Sequence, residues 1–87
     1  MESREMDFFG VDGNVAVVRL PGRKFPGVLV QADTIKMLES FLEEAGTHDA
    51  DAAREALDEA TALVRSFLAV YETALDNVGH RLPYVRE

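Results

Sequence analysis

The stretch ADAAREALDEATALVRSFLAVYETALDNV, residues 50–78, sets the architecture of the chain. Its apolar residues Ala53, Ala56, Leu57, Ala60, Leu63, Val64, Phe67, Leu68, Tyr71, Ala74, Leu75 and Val78 recur at helical spacing. No Gly or Pro interrupts them before Gly79, a residue suited to the position just past a helix end. At 1.5 Å per residue such a helix is about 43 Å long, more than one neighbour in a small domain can cover. Its halves differ. As far as Ala62 the inward positions are mostly Ala, with Leu57 the one large residue; from Leu63 onward they are bulky. Alanine lets another helix axis come near the short end of the usual range of about 8–10 Å. The first half is therefore expected to pack on a helix, with Ala53, Ala56 and Ala60 against Ile35, Leu38 and Leu42. The second half is expected to pack on strands.

Working toward the N-terminus, Gly46 ends a shorter helix over about residues 34–45, with Ile35, Leu38, Phe41, Leu42 and Ala45 on one face. Asp33 is read as its cap, and Asp49 or Thr47 as the cap of the long helix. The short connection makes the two helices antiparallel neighbours. Further upstream, Asp12-Gly13 between apolar runs is a hairpin signal joining strands over about residues 6–11 and 15–20. Residues 28–31 read as a short third strand, and residues 1–5 as a polar, frayed end. The reading is one α+β domain over residues 1–87: an N-terminal antiparallel hairpin plus a short third strand, followed by a helical hairpin with one short and one long helix.

The net charge of −7 disfavours nucleic acid and anionic lipid as nonspecific partners. Acidic residues crowd residues 39–59, whereas Arg19, Arg23, Lys24 and Lys36 make a smaller basic region. The absence of Cys excludes disulfides and thiol chemistry. No run of transmembrane length and no basic-then-apolar leader occurs, so a cytoplasmic location is the expectation.

The strands do not alternate cleanly between apolar and polar residues. Phe8 and Phe9 point to opposite faces, as do Val17 and Val18, and Val28 and Leu29. The long helix covers one face. The other needs the apolar tail (Leu82, Tyr84, Val85), a second copy or a partner. A homodimer is expected, with the open sheet face or Phe67, Tyr71, Leu75 and Tyr84 in the contact.

Residues 20–33 are the candidate ligand site. Arg23 and Lys24 supply charge, Phe25 a flat contact, and Gln31 and Asp33 polar groups at the mouth of the first helix. The bland alternative is a strand connection stiffened by Pro21 and Pro26, with Asp33 capping. Gly22 and Gly27 have phosphate-loop spacing, but Val28 and Leu29 stand where Lys and Ser or Thr are needed. His48 and His80 lack metal-ligand spacing, and Asp76 with His80 reads as a charge pair at the helix end. Neither a cofactor site nor a nucleophile–base pair is visible, so no enzyme is expected.

Within residues 20–33, Arg23, Pro26, Gly27, Gln31 and Asp33 fit a pattern R-x-x-P-G-x-x-x-Q-G-D. It resembles the signature of a family of short, uncharacterised bacterial proteins; Ala32 departs where Gly is expected. The resemblance implies a bacterial source and a compact domain, and no activity. Size, acidity and the missing catalytic set suggest a protein–protein interaction module of accessory or immunity-like kind. The alternative is a small anionic-ligand binding module at residues 20–33.

Overall fold

A computed structural model describes residues 5–86; the N-terminal end read as frayed lies almost wholly outside the described residues. Strands β1 (Asp7–Asp12), β2 (Val15–Arg19) and β3 (Gly27–Val30) are followed by helices α1 (Ala32–Glu44) and α2 (Ala50–Val78). The strands form an antiparallel sheet in the order β1-β2-β3. This is the α+β arrangement the sequence predicts. The β1–β2 loop is Gly13-Asn14 rather than Asp12-Gly13, with Asp12 paired to Val15. Gly13 takes a φ of 57°, as the primed hairpin turn with Gly first requires.

The long helix is fixed at both ends by its sequence. Asp49 Oδ1 accepts from the amides of Asp51 at 3.0 Å and Ala52 at 3.1 Å. At the other end Gly79 is left-handed at φ 70°. The Gly79 amide reaches the Asp76 carbonyl and the His80 amide the Leu75 carbonyl, which makes a Schellman motif. For α1, Gln31 rather than Asp33 is the N-cap, and no side chain caps the helix; Asp33 lies in the first turn.

The sheet and α1 pack end to end on the same side of α2 and scarcely touch each other. The core lies at the sheet end: Val17, Tyr71, Ala74 and Leu75, with Phe9, Val70 and Leu82 against them. A bulge between Phe8 and Gly10 turns both Phe9 and Gly10 inward. A Cβ on Gly10 would lie 3.3 Å from that of Ala74, so glycine sets how closely α2 approaches β1.

At the other end Ala56 and Ala60 are buried, as the alanine seam requires, whereas Ala53 is only half-buried. Its partners differ from the expected set. The inward row of α1 is Thr34, Leu38, Phe41 and Ala45, whereas Ile35 and Leu42 stand about half exposed. The helix is rotated by part of a turn within its wide apolar arc.

The result is an elongated molecule of 46 × 37 × 21 Å. Its radius of gyration is 15.7 Å, where a compact chain of this length has about 12 Å. Its accessible surface is 6706 Å², against about 5,100 Å² for a compact monomer of this mass.

Candidate functional site

The loop at residues 20–26 is tied down by the C-terminal tail. His80 sits between two aromatic rings, Phe9 and Phe25, each 5.8 Å away and edge-on. The buried Tyr71 hydroxyl donates to the Pro26 carbonyl at 2.7 Å. Tyr84 stacks on Tyr71 at 6.3 Å, and its hydroxyl donates to Glu72 at 2.9 Å. Arg86 reaches Asp76 at 2.8 Å and Glu72 at 3.3 Å. Partial burial, then the bond to Glu72, raises the Tyr84 pKa to about 12. The anticipated Asp76–His80 pair is replaced: Asp76 takes Arg86, and His80 belongs to the aromatic stack.

Each candidate ligand residue now has a place. Phe25 is half-buried on His80, so much of its ring serves this clasp between loop and tail. Lys24 lies over the other part of that ring, 5.6 Å from its centre, and is exposed. The Arg23 amide closes a turn onto the Leu20 carbonyl, and its side chain lines a cavity of about 330 Å³ with Met6, Val18, Leu20 and Leu29. Gln31 and Asp33 are exposed at the start of α1, beyond that cavity's lining. The five residues therefore do not converge on one cavity. Among the described residues no three His, Cys, Asp or Glu side chains gather as a metal would need, and no helix is long and apolar enough to cross a membrane.

Of the residues expected in a self-contact, Phe67, Tyr71 and Leu75 lie inside the protomer's own core, and Tyr84 packs on Tyr71. The tail also packs on the core side, through Leu82 and Tyr84, so that among the described residues no element covers the other sheet face. Register defines that face as two cross-strand rows, Val11–Ala16–Leu29 and Phe8–Val18–Gly27. Neither row contains a charged residue. Phe8, Val11 and Leu29 are 66, 62 and 58% exposed. A second apolar strip, absent from the sequence reading, runs along the helical hairpin. At 100° per residue Leu57, Val64 and Leu68 flank the buried row of α2, and Ile35 and Leu42 flank that of α1 on the same side.

Fold and surface together define a small α+β domain built on one long helix, with large apolar side chains exposed on its outer faces. The chain belongs to a family of unknown function, DUF6959, whose model matches residues 1–84. No curated protein and no solved structure matches it.

Proposed function

We propose that this protein is a non-enzymatic interaction module that works as a homodimer and, in that form, engages a further protein in the cytoplasm. The observation behind the reading is its surface: roughly 1,600 Å² more than a compact chain of this mass exposes. Much of what is open is large and apolar, on the sheet and along the helical hairpin. Soluble monomers seldom leave contiguous apolar patches of more than a few hundred Å² uncovered. A standard interface takes about 800 Å² from each partner, so the surplus has room for a second copy and a further protein. The acidic balance argues against nucleic acid and membrane surfaces as the partner.

Sedimentation equilibrium over a wide concentration range tests this. The expected result is a mass rising from the 9.6 kDa of one chain toward twice that. A mass of one chain at every concentration would contradict it.

The second reading, an anion site at residues 20–33, is favoured by Arg23 on the cavity wall and by the exposure of Lys24. Phosphate at matched ionic strength would then raise the melting temperature of wild type more than that of Arg23→Ala. Equal shifts would make the loop structural.

A further inference from the structure

We infer that the outer sheet face, bounded by Phe8, Val11 and Leu29, is the surface on which a second copy of the chain docks, sheet on sheet. This rests on the dimeric reading above and assigns its contact.

Charge separates the two open apolar surfaces. Each copy carries −7, and residues 32–78, which hold the helical hairpin, contain eleven acidic residues against Lys36, Arg54 and Arg65. Bringing two hairpins together would place like charges side by side. The rows Val11–Ala16–Leu29 and Phe8–Val18–Gly27 contain none. Two identical acidic chains meet there at the least electrostatic cost.

Shape supports a copy rather than an unrelated chain. An isologous contact requires one patch to supply both the protruding and the receiving group. This face does so within one row: Phe8 on β1 protrudes, and Gly27 on β3, across Val18, has no side chain. A Cβ added at Gly27 would meet no atom within 4 Å, so the space above it is open. It adjoins the cavity of about 330 Å³. A two-fold axis along β2, midway between sheets packed about 10 Å apart, sets β1 of one copy over β3 of the other. Phe8 of each copy then fills the space over Gly27 of the other. In the second row Val11 of each meets Leu29 of the other, across Ala16.

The test measures the dimer dissociation constant for wild type, Leu29→Lys, Gly27→Leu and Leu57→Lys. Far-UV circular dichroism and melting temperature confirm that each variant is folded. Leu29→Lys places a charge in the contact, and Gly27→Leu fills the receiving space without adding charge. Each is expected to weaken the dimer by about 100-fold or more. Leu57→Lys, on the hairpin strip, is expected to leave it within about threefold. Added salt is expected to tighten the wild-type dimer, because it screens the repulsion between acidic copies. A wild-type chain that stays monomeric overturns both this assignment and the dimeric reading. A dimer indifferent to Leu29→Lys and Gly27→Leu, broken by Leu57→Lys, or loosened by salt overturns the assignment alone.

Discussion

The two halves of α2 are held by different means. The first packs small residues, Ala56 and Ala60, against a single helix, and α1 has little else to rest on. The second inserts Tyr71 and Leu75 between the sheet and a tail that stacks, hydrogen-bonds and ion-pairs around it. One helix thus joins a thin arm to a three-sided core. Close approach in the arm gains dispersion contacts but buries little apolar area per residue, whereas the sheet end buries large side chains completely.

The contrast is broken most sharply at Leu75, which has no exposed surface. Leu75→Ala is expected to cost about 2–5 kcal/mol in urea unfolding, through lost burial and the cavity left behind. A loss below about 1 kcal/mol would mean that the core lies elsewhere.

Ala56→Leu probes the arm by overfilling it. Ala56 is 3% exposed against α1, and the larger side chain is expected to cost about 1–3 kcal/mol. Leu57→Ala, one residue on and 46% exposed, is expected to change stability by about 0.5 kcal/mol or less. Equal effects at the two positions would mean that the seam is misplaced.

The smallest effect is at the tail. The Tyr84 pKa is raised from 10.0 to about 12, so folding favours its neutral form. Its contribution is fully present below the unfolded pKa of 10.0 and is lost as pH rises through about 12. The stability difference between wild type and Tyr84→Phe should be flat below that window and shrink across it. A difference independent of pH there would remove the Glu72 bond from the account.

What the sequence disclosed and what it withheld divide along the same line. Both ends of α2 were legible because their signals are local: a carboxylate at Asp49 and a left-handed glycine at Gly79. The hairpin and the unpaired sheet face were legible from Gly13 and from adjacent apolar residues such as Phe8 and Phe9. The rotation of α1 was not. Its apolar arc spans Ile35, Leu38, Phe41, Leu42 and Ala45, and periodicity alone does not say which edge meets the neighbour. Thr34, the buried residue of α1, lies beside Leu63 and Phe67 rather than the alanines. The clasp left no local trace: Tyr71 and Pro26 are 45 residues apart. Hence Phe25 read as an offered surface when it is part of a stack with His80, and Tyr71 read as interface when it is core.

Hydrogen exchange followed amide by amide along α2 measures the asymmetry directly. Amides in residues 53–62 are expected to exchange through a local opening well below the global unfolding free energy, and those in residues 67–75 only through global unfolding. Uniform protection along the helix would contradict it, because arm and core would then open as one unit.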